Sequence, residues 1–575
     1  MATKTVAEII VDTIQAAGIQ RVYGVVGEGL AGLLEAIRTR EGMALVEVRN
    51  EEAAAFAAGG EANVTHSLAV CVGSCGPGDV QLLNGLYDCH RSHLPVLAIM
   101  AQVPSDEIGS SYFQETRPEL LFRECSHYCE SISVPEQAVR VAEAAVQAAI
   151  SLGGVGIIVL PSDVALLEAE APAPLIAALG HHSAIVPASP KIAQAAQLLN
   201  SCKNITILAG SGIAGAHREL LQVAQTLQAP VVYSLHGKEC AQPHNPFGVG
   251  LTGPQGMPAG YHALLEADGV LMLGTDFPHR QYFPANARVV QVDMRPEHLG
   301  RRTRVEVGLH GTVIETMQKL LPHLRARTNS DFLQAGRRQH AADEQHLAEL
   351  AAGQPDEQTL HPQHLARLLD ELGHDDAIFT CDVGTPLAWA GRYLRMNGHR
   401  RLINSFVYGS MGAALPQAIG AALAAPGRQV VALCGDGGFA MLLGELLTLR
   451  QANVPIKVVV FNNSGYRYAA QQLAAAGGSA FGTALDNPNF AKLAEAAGLK
   501  GLRVSGPAQL EAVLREALAH DGPVVVDAVV CPSELVPPPH LGTAEAKGGR
   551  LSAVKALLTG PSTELLTQVK TKLLG

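Results

Sequence analysis

Residues 429–466 read QVVALCGDGGFAMLLGELLTLRQANVPIKVVVFNNSGY. The apolar run 430–433 stops at Gly435, Asp436, Gly437 and Gly438, after which leucines at 442, 443, 446, 447 and 449 return at helical rather than alternating spacing. That spacing predicts strand, tight turn and helix. A second buried strand, 456–461, ends on Asn462 and Asn463, so the unit is βαβ, with a crossover that is almost always right-handed and sets the strands parallel. Asp436 and Asn463 are therefore expected at one edge, where open α/β sheets bind their ligands. A carboxylate and an amide oxygen there are hard donors suited to Mg²⁺, which is usually completed by water and phosphate oxygens. Gly437 and Gly438 let a phosphate approach the backbone, and the helix N-terminus adds free N–H groups. The edge reads as a Mg-diphosphate site; the bland alternative is a strand-to-helix turn.

The rest of the chain is long enough for about three or four domains at 575 residues. Hydrophobic residues make up 47% and charged residues 17%, a globular balance. A net charge of −11 and the lack of a basic stripe argue against nucleic acid as partner. No apolar stretch reaches the roughly 20 residues that span a bilayer, and the first 18 residues lack a basic n-region or a cleavage site, so a cytoplasmic protein is expected. The ten cysteines are scattered; Cys71/Cys75 and Cys125/Cys129 do not have zinc-ribbon spacing and read as buried thiols in a reducing compartment.

Residues 1–180 alternate helix and strand signals, which implies a parallel sheet wrapped by helices. Pro-rich sequence at 167–190 reads as a linker, and a second α/β unit occupies 190–335. Its strand 205–209 runs into Gly210, Ser211 and Gly212, and further strand ends fall at Gly274-Thr275 and at Asp293. Three such edges together could cradle a dinucleotide, although GSGIAG is not a clean GxGxxG word. The polar stretch 329–359 reads as the second linker, a third α/β unit spans 355–531, and 532–575 is Pro-rich and then helical. The fold class is α/β: three doubly wound parallel-sheet domains with a short C-terminal helical tail. The first and third units share a rhythm of strands and helices without recognisable sequence identity.

GDG, 24 residues and NN in this context resembles the thiamin diphosphate (ThDP) motif. That cofactor needs an acid at its aminopyrimidine, and Glu51, entering a helix as RNEEAAAFA (49–57), is the candidate; otherwise it is a helix N-terminal acid favoured by the dipole. Across nearly the whole chain the sequence resembles the ThDP-dependent pyruvate oxidase family, most of all its quinone-dependent pyruvate dehydrogenase branch. The matching words include EEAAAFAAG (51–59), AVCVGSCGPG (69–78), GSSYFQET (109–116), GSGIAGAH (210–217), AIFTCDVGTP (377–386) and GSMGAALPQAIGA (409–421).

The resemblance implies pyrimidine-binding, central flavin-binding and diphosphate-binding domains in that order. It implies Glu51 as the activating acid, Asp436, Asn463 and the Gly465 carbonyl as Mg²⁺ ligands, and Met411 as the apolar wedge under the cofactor. Gly384, Ser410, Gly435, Gly437 and Gly438 then line the ThDP site, and Phe113, Gln114 and Tyr468 the substrate pocket. FAD is expected on Gly210, Ser211, Gly212, Thr252, Gly274, Thr275 and Asp293, although Gly311-Thr312 stands where the family has Gly-Asp. The implied reaction is oxidative decarboxylation of pyruvate or a related small 2-keto acid, with electrons passing through FAD to a quinone. The rivals are an acetolactate synthase-like carboligase with structural FAD, and a non-catalytic paralogue. The site is shared between subunits in this family, which implies a dimer and commonly a homotetramer.

Two departures concern the substrate: Arg467 where a glycine is usual, and Asn50 where a histidine is common. Arg467 either turns to solvent or faces the pocket, where it would engage a second anionic group. In 562–574, Leu565, Leu566, Val569, Leu573 and Leu574 share a helical face, which makes a peripheral membrane contact on the inner face of the cell membrane one expectation and docking on the chain's own subunit the other.

Overall fold

The computed structural model of the chain describes residues 2–176, 183–352 and 358–534, together with 536 and 539. The helix expected at 562–574, whether at a membrane or docked on its own subunit, lies outside the described residues. No helix among them is long and apolar enough to cross a membrane.

The described residues build three six-stranded sheets in which every pairing is parallel, plus one antiparallel ribbon of Ala2–Thr5 against Glu168–Ala171. The first sheet runs Ala44–Glu47, Arg21–Gly24, Ala69–Gly73, Val96–Gln102, Val155–Pro161, Tyr128–Ser131. The third runs Arg401–Asn404, Ile378–Cys381, Val430–Gly435, Lys457–Asn462, Val524–Val529, Lys500–Val504. Numbered within its own domain, each has the order 2-1-3-4-6-5, so the shared rhythm of the two sequences is a shared topology. The central sheet differs: Gly248–Leu251, Val231–Tyr233, Ile205–Ala209, Gly269–Leu273, Arg288–Asp293, Val307–His310, the order 3-2-1-4-5-6 of dinucleotide-binding folds. Helices cover both faces of the sheets, which explains why Val96–Gln102 and Val155–Pro161 are buried at every position instead of alternating.

Two helices join the outer domains. α1 (Glu51–Thr65) of the first packs along α3 (Ala414–Ala424) of the third. The approach is backbone to backbone: a Cβ on Gly60 would stand 2.2 Å from the Gln417 carbonyl oxygen, and one on Gly420 only 1.8 Å from that of Ala57. From α2 (Pro77–Arg91), Asp88 crosses the same boundary, accepting from Ser405 Oγ at 2.7 Å and Gln417 Nε2 at 3.2 Å.

Two local expectations change. The stretch 329–359 is not an irregular linker: Asp331–Ala352 is a helix. It buries only Leu333, Asp343, Leu347 and Ala351, too sparse a set to give a helical hydrophobic pattern, and it is held by neighbours on both sides. Asp343 Oδ2 accepts from the Ala259 amide at 2.8 Å, at the start of the Pro258–Leu265 helix. The helix after the GDGG turn is interrupted, as Asp436–Met441, a 3₁₀ turn Leu443–Glu445 and Leu446–Ala452. At the break Leu442 leaves the helical region (φ −121°, ψ 36°) and buries its side chain in the core of the first domain.

Candidate active site

Val430–Gly435 and Lys457–Asn462 are adjacent parallel strands with Gly435 opposite Phe461, so Asp436 and Asn463 leave the sheet side by side. Both are buried. Asp436 Oδ1 accepts from the Gly437 amide at 3.0 Å, and Oδ2 accepts from the Gly465 amide at 3.0 Å and Asn487 Nδ2 at 2.7 Å. Burial raises its carboxyl above the usual range, while those donors pull it back. Asn463 gives its amide to Thr385 Oγ1 at 3.4 Å, and its buried Oδ1 has no partner. An orphaned amide oxygen beside a carboxylate is a donor set that Mg²⁺ satisfies. The Gly465 carbonyl accepts from the Arg467 amide at 2.9 Å, which leaves it a second lone pair.

The glycines of the turn are required by what lies against them. A Cβ on Gly437 would meet the Tyr466 ring at 2.3 Å, and one on Gly438 would meet Asp382 Oδ2 at 2.4 Å. Gly384 takes φ 130°, and Gly409 and Gly412, flanking Ser410 and Met411, take φ 87° and 81°, conformations that L side chains rarely adopt. Ser410 Oγ accepts from Asn84 Nδ2 of α2 at 3.1 Å, tying this loop to the first domain. Met411 is exposed for a methionine, at 37%.

Glu51 is the first residue of α1, and Asn50 is its N-cap, with Oδ1 accepting from the Glu52 amide at 2.8 Å. The unusual Asn50 thus has a structural reason. Glu51 is only 5% exposed, and burial raises its carboxyl. Its Oε1 occupies the space beside Gly78, where an added Cβ would come within 2.5 Å.

The substrate-pocket candidates are dispersed. Phe113 is 78% exposed and Gln114 takes φ 65° in an exposed loop. Gln114 and Thr116 line an open cavity of about 450 Å³ with Gly76 and Pro77. Tyr468 packs against the core of the third domain, and its hydroxyl accepts from Gln255 Nε2 of the central domain at 3.1 Å. Arg467 folds onto its own loop, with Nε donating to the Asn463 carbonyl at 3.1 Å and Nη2 to that of Ser464 at 3.4 Å. The guanidinium is partly exposed and held on its own loop instead of extending freely into solvent.

In the central domain Gly210, Ser211, Gly212, Thr252, Gly274 and Thr275 follow their strands and Asp293 ends its own at one sheet edge, and Gly210 and Gly274 lie where strand order reverses. Gly210 and Gly212 serve close chain approach: their amides donate to Leu273 and Gly274 carbonyls at 2.9 and 3.0 Å, and a Cβ on Gly212 would lie 2.7 Å from Gly274 Cα. Thr252 Oγ1 is buried without a partner. Asp293 Oδ1 accepts from the Arg295 amide at 2.9 Å, and His298 Nδ1 lies 3.4 Å from Oδ2. Thr312, the departure beside Gly311, exchanges hydrogen bonds with Ile185 backbone and so anchors the segment entering this domain.

Four polar residues of these surroundings escaped the sequence reading. Asn487 donates to both Asp436 and Asn462, and Asp382 lies beneath Gly438 with burial raising it to about 7. Asp88 and the fully buried Asp79 complete the set. Asp382, inside the word AIFTCDVGTP (377–386), and Asp88, inside NGLYDCHRSHLPVLAI (84–99), fell in stretches that carry the resemblance. The thiols of Cys71, Cys125 and Cys129 are pushed up to about 12 by burial. Elsewhere His361, Cys531 and Glu534 approach within 4.8 Å, but His361 Nδ1 and Gln363 Nε2 already hold the Glu534 carboxylate at 2.8 and 2.7 Å.

Residues 4–120, 192–320 and 382–528 match, in turn, the N-terminal TPP binding domain, the central domain and the C-terminal TPP binding domain of thiamine pyrophosphate enzymes. The chain belongs to the thiamine pyrophosphate enzyme family. Over 95% of its length it is 34% identical to the putative thiamine pyrophosphate-containing protein YdaP of Bacillus subtilis, covering 95% of that protein. Over 95% it is 30% identical to a probable acetolactate synthase large subunit of Methanocaldococcus jannaschii, covering 94% of it. A pyruvate oxidase of Lactiplantibacillus plantarum is 28% identical over 91% of the chain and 88% of its own length. Thiamin diphosphate is accordingly the cofactor of this enzyme family, and Mg²⁺ its usual metal.

Proposed function

We propose that the chain oxidatively decarboxylates pyruvate, or a closely related 2-keto acid, to acetate and CO₂, with electrons leaving through FAD to a quinone. Bound thiamin diphosphate supplies the electron sink for loss of CO₂. Asp436, Asn463 and the Gly465 carbonyl hold its Mg²⁺, Gly437 and Gly438 admit the diphosphate to the backbone, and Met411 supports the thiazolium. Glu51 hydrogen-bonds the aminopyrimidine and moves the proton there. Its burial fits that task, because a carboxyl raised toward neutrality can both give and take a proton. Exposed apolar side chains on the outer domains, among them Phe113, Met411, Met441 and Leu447, support a homo-oligomer in which Glu51 serves a diphosphate edge of another subunit.

The observation that supports a flavin in this reading is the central sheet, whose dinucleotide-binding strand order puts glycines at the switch point and a buried, unpartnered Thr252 hydroxyl at the same edge. Anaerobic addition of pyruvate, ThDP and Mg²⁺ should bleach the flavin of the purified protein. A flavin that stays oxidised while pyruvate is consumed would overturn the reading. The acetolactate synthase relatives favour carboligation as the second reading; acetolactate or acetoin formation without reduction of a quinone analogue would establish it.

A further inference from the structure

We propose that Asp79 is the electrostatic partner of Glu51: at neutral pH the buried Asp79 carboxyl stays protonated while Glu51 carries the negative charge of the pair, and ionisation of either acid opposes that of the other. The proposal rests on the reading of Glu51 as the acid that serves the aminopyrimidine.

Asp79 is in the first turn of α2 and Glu51 in the first turn of α1, two packed helices of one domain. The turn before α2 holds them together. Gly78, next to Asp79, has no room for a side chain because Glu51 Oε1 and Ser74 Oγ each lie 2.5 Å from where its Cβ would be. The Asp79 amide donates to the Ser74 carbonyl at 2.9 Å, and Asp79 Oδ1 lies 3.1 Å from the Cβ position of Gly73. Asp79 is 0% exposed, and neither of its carboxyl oxygens has a hydrogen-bond partner. The Gly76 amide and the Thr116 hydroxyl face it and favour the anion, but neither reaches hydrogen-bond geometry, and the Thr116 hydroxyl is itself unpartnered.

The charged groups that the two neighbouring thiols feel are all acidic. Burial and then Glu51 push the Asp79 carboxyl well above its ordinary range. Cys75 in the preceding turn and Cys129 on the Tyr128–Ser131 strand both feel Asp79, and the other charged groups acting on them are Glu28, Glu119 and Glu130, with no base among them. Two helix N-termini favour one anion here, whereas two adjacent buried anions are strongly disfavoured and titrate as a coupled pair. The more deeply buried Asp79 is the resting place of the proton. Held neutral near Glu51, the buried acid leaves that residue free to ionise, and its own ionisation would oppose that of Glu51.

The test reads the proton directly, on protein free of cofactors. The infrared carbonyl-stretch signal of protonated carboxyls at neutral pH, to which Asp382 also contributes, should lose the Asp79 component in Asp79→Asn, and likewise in Asp79→Leu, which guards against a misfolded amide variant. In Glu51→Gln the band should persist but titrate lower by about 1 pH unit or more, since the like charge is gone. In the loaded enzyme, Asp79→Asn should move the alkaline limb of kcat/KM to lower pH by a similar amount. An unchanged band in both Asp79 variants, or an unchanged midpoint in Glu51→Gln, overturns the proposal. Failure of the Glu51 reading looks different: Glu51→Gln would then turn over normally although the midpoint of the Asp79 band still falls in it.

Discussion

Gly420→Ala tests the contact that aligns the two outer domains. The added methyl would lie 1.8 Å from the Ala57 carbonyl oxygen, 2.7 Å from its carbon and 2.9 Å from the Glu61 nitrogen, all backbone of α1, so no side chain can turn away. A tolerable C···O contact is about 3.3 Å, which requires α1 and α3 to separate by about 1.5 Å. Overpacking of this kind typically costs about 1–3 kcal/mol, and the rigidity of both partners puts this site at the upper end or beyond. The better helix propensity of alanine returns about 1 kcal/mol. A net loss of about 2 kcal/mol should lower the Tm of the outer-domain transition by roughly 4–8 °C. Calorimetry is the assay, because a three-domain chain is not expected to unfold in two states. Titration with ThDP and Mg²⁺ should show weakened binding as well, since α1 carries Glu51. A Tm within a degree of the parent together with unchanged ThDP affinity would refute the reasoning.

Glu51→Gln should retain thiamin diphosphate yet lose about 10²-fold or more in turnover, because an amide cannot pass a proton; activity within about threefold of the parent counts against the role. Asp436→Ala removes the acceptor of three hydrogen bonds along with the proposed metal ligand and should abolish Mg²⁺-dependent ThDP retention while the proposed flavin binding in the central domain persists, as equilibrium dialysis of both would show. Asp88 is raised by burial to about 6, so the folded state holds its proton more tightly than the unfolded chain, and stability falls as pH rises from about 4 to about 6 and is level above. In Asp88→Asn that decline, about 3 kcal/mol in size, should vanish from a Tm-against-pH series. Arg467→Gly should raise the Mg²⁺ concentration needed for ThDP binding, because it frees the carbonyls of Asn463 and Ser464, and should leave the ratio of kcat/KM between pyruvate and a dianionic 2-keto acid unmoved; a change in that ratio instead would show that the guanidinium reaches substrate.

The sequence by itself determined what depends on local period and short spacing. Apolar runs ending on turn glycines located the strands, and the 24 residues between GDG and NN sufficed to bring Asp436 and Asn463 to one edge, because a right-handed βαβ unit leaves them nowhere else. Tertiary structure decided what depends on contacts distant in the chain. The 331–352 helix carries too few apolar residues to declare itself and exists through its neighbours on both sides. Asn50 proved a helix cap, Arg467 a clasp on its own loop and Tyr468 a contact between domains, because hydrogen-bond partners are chosen by geometry that residue type does not encode. Asp79 and Asp88 read as ordinary polar positions on a helix, yet both are buried, and only packing shows that one lies beside the glycine Glu51 crowds while the other bridges two domains. Burial sets the charge state of an acid, and burial is a property of the assembled fold.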